Sequence, residues 1–224
     1  MNKLLKLSNV SLNYTIDNNS INILKNISFE VDYKETISIV GESGSGKTSL
    51  IMLIGGLEKI SAGNIFFKDS EISNMTEDEI SEIRRKNIGI VFQSFYLIPN
   101  YTALENVSLS LEINKLDNAT QKAKEILDRF GLSNRFNNLP SQLSGGEQQR
   151  VAIARSVVMK PELILADEPT GNLDSENTEN ISNLLFNYIK DENASLIMVT
   201  HDNNLANLTK RKITIKDGVI SENQ

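Results

Sequence analysis

Gly41-Glu42-Ser43-Gly44-Ser45-Gly46-Lys47-Thr48, followed by Ser49, decides the fold. The stretch fits G-x-x-x-x-G-K-[ST] in a telling context: residues 36–40 are a β-rich run that ends at Gly41, and residues 47–57 carry a helical pattern. A strand that turns through glycines into a helix points successive backbone N–H groups at phosphate oxygens, and the helix N-terminus adds its dipole. In that frame Lys47 reaches the β and γ phosphates, and the Thr48 hydroxyl sits on a magnesium ion. A chance lysine in a glycine-rich turn would lack the strand before it and the helix after it. Residues 41–49 therefore imply a bound nucleoside triphosphate.

Working outward, residues 88–92, 162–166 and 196–200 are apolar runs bounded by polar residues, glycine or proline, and helical segments separate them. That spacing predicts a parallel sheet covered on both faces. Before the phosphate loop, residues 4–34 alternate as short strands with a polar turn at 17–20. About seventy residues separate the strands at 88–92 and 162–166, too many for a simple crossover. Within them residues 118–130 put Ala123, Ile126, Leu127 and Phe130 on one helical face, and Gly131 stands where a helix would stop. A further helical stripe runs through Ile181, Leu184, Leu185, Tyr188 and Ile189, and residues 212–220 read as a closing hairpin around Lys216-Asp217-Gly218. The expectation is an α/β phosphate-loop NTPase fold: a parallel-sheet core, an N-terminal antiparallel β-subdomain and an inserted α-helical subdomain at about 95–160, all one domain over 1–224.

Two more stretches carry chemistry. The apolar strand ending at Ala166 delivers Asp167-Glu168 to the sheet edge from which the phosphate loop emerges. On an extended chain adjacent side chains point opposite ways, so Asp167 can face the metal while Glu168 faces a water in line with the γ-phosphate. Alone, such a pair is as often a solvated strand end. Leu143-Ser144-Gly145-Gly146-Glu147-Gln148-Gln149-Arg150 opens a helix, with Ser144 and Glu147 as a capping box. That reading makes it an ordinary helix start. Two glycines in its first turn nevertheless leave backbone N–H groups uncovered, a second anion cradle in one chain. One nucleotide needs only one cradle from its own subunit, so the second is expected to serve the nucleotide of a partner subunit.

Composition narrows the classes. The 224 residues are 39% hydrophobic and 23% charged, the balance of a globular protein. No run reaches the eighteen apolar residues of a membrane span, and the N-terminus has no apolar signal region, so a cytoplasmic location is expected. A net charge of −6 argues against a protein that neutralises nucleic-acid phosphates. Zero cysteines exclude disulfides, thiolate metal sites and cysteine nucleophiles, and the single histidine, His201, excludes a two-histidine metal site. Any metal must be held mainly by oxygen.

Leu-Ser-Gly-Gly-Glu-Gln at 143–148 is similar to the signature of ATP-binding-cassette (ABC) ATPases, and the resemblance runs from about residue 5 to 220. The order matches as well: phosphate loop, Gln93 after a strand, signature, Asp167-Glu168, and His201 after another strand. The resemblance implies a RecA-like core and a head-to-tail dimer, expected to be a homodimer. Two ATPs would be sandwiched between residues 41–49 of one subunit and Ser144, Gly145, Gly146 and Glu147 of the other. It implies further that Gln93 contacts magnesium and the attacking water, that His201 contacts the γ-phosphate, that Asp174 crosses the dimer interface, and that Tyr14, 27 positions before Gly41, stacks on adenine. Residues 166–174 and 102–107 resemble the ATPases of lipoprotein-releasing, macrolide-export and antimicrobial-peptide-resistance systems, the LolD and MacB type. A cell-division ATPase with a membrane partner has similar motifs. This group implies an integral-membrane permease subunit as partner, no nucleic acid, and a place on the cytoplasmic face of the cell membrane. The apolar segment Phe95-Tyr96-Leu97-Ile98-Pro99-Asn100-Tyr101 fits either a docking surface for that partner or subdomain core. DNA-repair ATPases share the signature but carry a long coiled coil between it and the phosphate loop; only 94 residues lie between Thr48 and Leu143, without heptads.

Overall fold

The computed structural model describes residues 3–16 and 19–222. Apolar alternation at the start of the chain folds into two long strands, Lys3–Ile16 (β1) and Asn19–Asp32 (β2), paired antiparallel. They are 14 residues each where short strands were expected, because register shifts along the pair, with Asn9 and Asn26 at φ +50° and +51°, let the ribbon bend without ending. Part of the expected turn, residues 17 and 18, lies outside the described residues.

Thr36–Val40 (β3) leads through the phosphate loop into Lys47–Ile54 (α1). The chain then returns to the antiparallel sheet as Ala62–Phe67 (β4) and Ser70–Glu71 (β5), giving the order β2-β1-β4-β5. Two of the four strands of the antiparallel subdomain thus come from beyond the phosphate loop. Glu77–Asn87 (α2) starts on a Thr76/Glu79 capping box and runs into Ile88–Val91 (β6). Next come Ala103–Ile113 (α3), Ala119–Arg129 (α4), a 3₁₀ turn at Pro140–Gln142, and Gly145–Val157 (α5). Gly131, at φ +70°, follows α4 as the sequence pattern requires. Leu163–Asp167 (β7), Ser175–Glu192 (α6), Ser195–Val199 (β8), Asn203–Ala206 (α7) and the hairpin Arg211–Lys216 (β9) with Val219–Glu222 (β10) complete the chain.

The central sheet has the order β10-β9-β3-β8-β7-β6, parallel except for β10. Period-two alternation sorts its side chains. Leu163, Leu165, Ile197 and Val199 pack with the antiparallel sheet and α1, whereas Ile164, Ala166, Leu196 and Met198 pack with the helices on the other face. Each large apolar side chain buried this way contributes about 1.5–3 kcal/mol. The strand directions also place the carboxyl ends of β3, β6, β7 and β8 on one edge, the position at which an α/β sheet presents its ligand. Among the described residues no helix is long and apolar enough to cross a membrane.

Candidate functional site

A cleft of about 460 Å³ opens at that edge, and Gly41, Ser43, Gly44, Gly46, Lys47, Thr48, Ser49, Gln93, Asp167, Glu168 and His201 line it, with Ile23 and Val199. Gly44 and Gly46 turn the loop at φ +78° and +101°, and a Cβ on Gly46 would meet Leu24 Cδ2 at 2.7 Å. Glycine is required there both by conformation and by space. Helix α1 starts with no side-chain cap and no acidic residue in its first turn, so nothing in that turn itself offsets its N-terminal dipole. Lys47, nearly buried, donates to the carbonyls of Gly41 at 2.9 Å and Glu42 at 2.8 Å and arches across the loop. Glu42 is exposed beside the cleft, while the Ser45 hydroxyl is buried without a partner.

Asp167 and Glu168 both line the cleft, but not as successive residues of one extended strand. β7 ends at Asp167, and Glu168 adopts φ +46°, its N–H donating to Val199 O at 2.9 Å. A left-handed glutamate is strained. That turn brings its carboxylate to His201, with Oε1 2.9 Å from Nδ1. The His201 side chain is 72% exposed and Glu168 15%. Asp167 stays inside. Burial pushes its carboxyl above the usual range, and the Glu168 charge adds to this, whereas the Thr48 hydrogen bond and the Lys47 charge oppose it. Its Oδ1 is buried with no hydrogen-bond partner.

Gln93 enters the cleft from the end of β6, its amide bonded to Asn172. Tyr14 does not line the cleft. It sits half-exposed on β1, where its hydroxyl donates to Glu58 Oε2 at 3.0 Å, and burial with that hydrogen bond raises its pKa.

Ser144, Gly145, Gly146, Glu147 and Asp174 form a second group outside the cleft lining. The Ser144 hydroxyl accepts from Glu147 N, and the Glu147 carboxylate accepts from Ser144 N at 2.8 Å and from Arg135 Nε at 2.7 Å. This reciprocal cap satisfies two amides and leaves those of Gly145 and Gly146, at the start of α5, with no acceptor among the described residues. A Cβ on Gly146 would lie 2.5 Å from Asn177 Oδ1, and Asn177 in turn holds Asp174, the N-cap of α6. The signature turn and the Asp174 loop are therefore neighbours on one face.

The chain as a whole has counterparts among known proteins. The family described as ABC transporter matches residues 24–171. The chain belongs to the ABC transporter family. This ABC chain is 43% identical over 222 residues to the lipoprotein-releasing system ATP-binding protein LolD of Cytophaga hutchinsonii, covering 98% of this chain and 100% of the relative. It is 41% identical over 223 residues to LolD of Idiomarina loihiensis, covering 99% and 98%. Among solved structures, the dimeric post-hydrolysis state of the ATP-binding cassette MJ0796 bound to ADP and Pi matches with a TM-score of 0.90 and 40% identity, over 97% of this chain and 98% of that one. Dimeric MJ0796, a bacterial ABC transporter cassette, matches with a TM-score of 0.91 and 41% identity, over 97% of each. As an ABC ATP-binding subunit, the chain binds ATP and hydrolyses it to ADP and phosphate.

The donor set suits this ABC chemistry. The Thr48 hydroxyl, the Asp167 carboxylate with its orphaned oxygen and the Gln93 amide are hard oxygen donors of the kind magnesium takes. Among the described residues no cluster of three or more His, Asp or Glu competes for a metal. Sequence reasoning missed Asn172, which lies inside the Gly171-Asn172-Leu173-Asp174 stretch read only for its aspartate, and Ile23, which reaches the cleft because β2 passes beside Gly46.

Proposed function

We propose that two copies of this chain close head to tail on two ATP molecules, and that the closure drives an integral-membrane subunit of the lipoprotein-releasing type from the cytoplasmic face of the membrane. The single observation that carries this is the division of labour within one chain. The phosphate cleft holds residues 41–49 and both carboxylates, while the uncovered amides of Gly145 and Gly146 lie outside its lining. An anion cradle that does not face its own subunit's nucleotide is accounted for when it faces another's.

In this scheme Lys47 exchanges the carbonyls of Gly41 and Glu42 for phosphate oxygens, and the amides of residues 43–48 cradle the phosphates. Thr48, Asp167 and Gln93 would hold magnesium, which supplies neutralisation of the charge on the transferring phosphoryl group. Glu168 takes the proton of the attacking water as its oxygen adds to the γ-phosphorus and the bond to the ADP oxygen breaks. His201, steadied through Nδ1 by Glu168, presents its other ring nitrogen to the γ-phosphate. Tyr14 supplies a face for the adenine, and Asp174 reaches across to the partner chain. Residues 95–160 act as the helical subdomain of a single domain spanning 1–224, and its loop is the contact for the membrane subunit. There Arg155 donates to the carbonyls of Tyr96 at 2.7 Å and Phe95 at 3.0 Å, and Tyr96 is 68% exposed while Leu97 packs against the helical core. A DNA-repair reading is disfavoured by α2, α3 and α4, each of 11 residues, in place of a coiled coil.

The test uses Glu168→Gln. With ATP and magnesium this variant should elute as a dimer that does not turn over, and wild-type turnover would refute the general-base role. In mixed dimers, Ser144→Arg on one chain should silence the site built on the other chain's phosphate loop. Unimpaired hydrolysis at both sites would refute the sandwich.

A further inference from the structure

Asn172 meets Gln93 twice. Gln93 Nε2 donates to Asn172 Oδ1 at 3.1 Å, and Asn172 Nδ2 donates to Gln93 O at 3.1 Å. The loop that carries Asn172 closes tightly over the same amide, because a Cβ on Gly171 would lie 2.8 Å from Gln93 Nε2. On the far side, Gln149 of α5, fully buried, donates to the preceding carbonyl, Phe92 O, at 3.5 Å. The junction of β6 with the cleft is thus tethered by side-chain amides from two different elements.

A primary amide has two unlike ends. Its NH₂ can only donate, and its oxygen alone can ligate a divalent cation or accept from a water. A glutamine free to rotate offers both ends to a cleft that can use one. With Nε2 committed to Asn172, Oε1 is the end of Gln93 left for the cleft it lines. We propose that Asn172 is a positioning residue that fixes the Gln93 amide with its oxygen toward magnesium-bound ATP. The proposal rests on the assignment of Gln93 as the amide that faces the metal and the attacking water. It is the logic by which partners of metal ligands set ligand orientation, and loss of such partners costs about 10–100-fold in metal affinity or activity.

The experiment compares wild type, Asn172→Leu, which keeps the branched heavy-atom skeleton and removes both bonds, and Asn172→Ala as a second variant with less bulk. In the nucleotide-free chain, the Gln93 side-chain NH₂ signal, identified by its loss in Gln93→Ala, is followed by NMR. Its exchange with water should accelerate by about tenfold or more in both Asn172 variants. In steady-state assays kcat should fall about tenfold and the half-saturating magnesium concentration should rise about tenfold. KM for ATP should stay within about twofold, a split that a loosened fold would not give. On a Gln93→Ala background, Asn172→Leu should have no further effect on kcat. Equal losses in both backgrounds, or an unchanged exchange rate, would overturn the proposal and leave the role of Gln93 standing. A Gln93→Ala chain with normal kcat and magnesium dependence would overturn both.

Discussion

Gly145 and Gly146 are adjacent in sequence and in the same helical turn, yet alanine should act on them with opposite sign. A Cβ on Gly145 finds only Leu173 Cδ2 at 3.7 Å, an ordinary contact. Neither glycine has a positive φ, so alanine strains nothing and narrows the unfolded ensemble. Gly145→Ala should therefore stabilise the nucleotide-free chain by about 0.4–1 kcal/mol. At Gly146 the new methyl lies 2.5 Å from Asn177 Oδ1, whereas ordinary contacts begin near 3.4 Å. Asn177 must move by about 1 Å, which breaks its Nδ2 bonds to the Asp174 carboxylate at 3.1 and 2.9 Å. Overpacking and the lost bonds cost about 1–3 kcal/mol, and after the gain from removing a glycine about 0–2.6 kcal/mol of destabilisation remains. At about 2–4 °C per kcal/mol for a chain of this length, calorimetry should show Tm rising by roughly 1–4 °C in Gly145→Ala and falling by up to roughly 10 °C in Gly146→Ala. Activity should not follow stability: Gly145→Ala puts its methyl on the face proposed to meet the partner's nucleotide, so ATP-driven dimerisation should weaken in the more stable variant. Two Tm shifts of the same sign would refute this account of the signature turn.

Other outcomes follow from the site. Lys47→Ala removes a charged donor to phosphate and should weaken binding of a fluorescent ATP analogue by about 10–100-fold. His201→Ala should lower kcat by about 10²–10³ while leaving Tm within about 2 °C, because the ring is largely in solvent. Glu147 links stability to pH. The Arg135 hydrogen bond, then the Ser144 amide, holds its carboxyl below the usual glutamate range, so the unfolded chain takes up its proton first. Its stabilisation is present above the ordinary glutamate pKa and is lost as pH falls through the lower folded value. Glu147→Gln, which keeps the cap and loses the ion pair, should melt below wild type at pH 7 and converge with it on acidification. A gap independent of pH would contradict this.

What the sequence made legible was whatever depends on local chemistry. The phosphate loop has a fixed glycine spacing, the parallel strands are short apolar runs, and the start of α5 carries its capping box in four consecutive residues. Elements whose signal depends on distant partners were hidden. β4 and β5 read as neither strand nor helix because Phe66 and Phe67 are adjacent apolar residues on opposite faces of a strand pairing with β1, far back in the chain. The extended chain expected through Asp167 and Glu168 ends at Asp167, since only the backbone reveals φ +46° at Glu168. Asn172 matters through Gln93, 79 residues away, a distance across which no local pattern speaks.

The position of β3 also constrains how the chain is made. This strand bears the phosphate loop, and both of its sheet neighbours, β8 and β9, come from residues 195–216. On the ribosome residues 41–49 emerge well before residues 195–216, which supply the strands on either side of β3. The pairing of β1 with β4 likewise waits until residue 67 has emerged. Such distant pairings are slow to form. Until those residues have joined the chain the phosphate loop stands on a strand without its sheet neighbours, so bound ATP stabilises the fold only once β8 and β9 have formed.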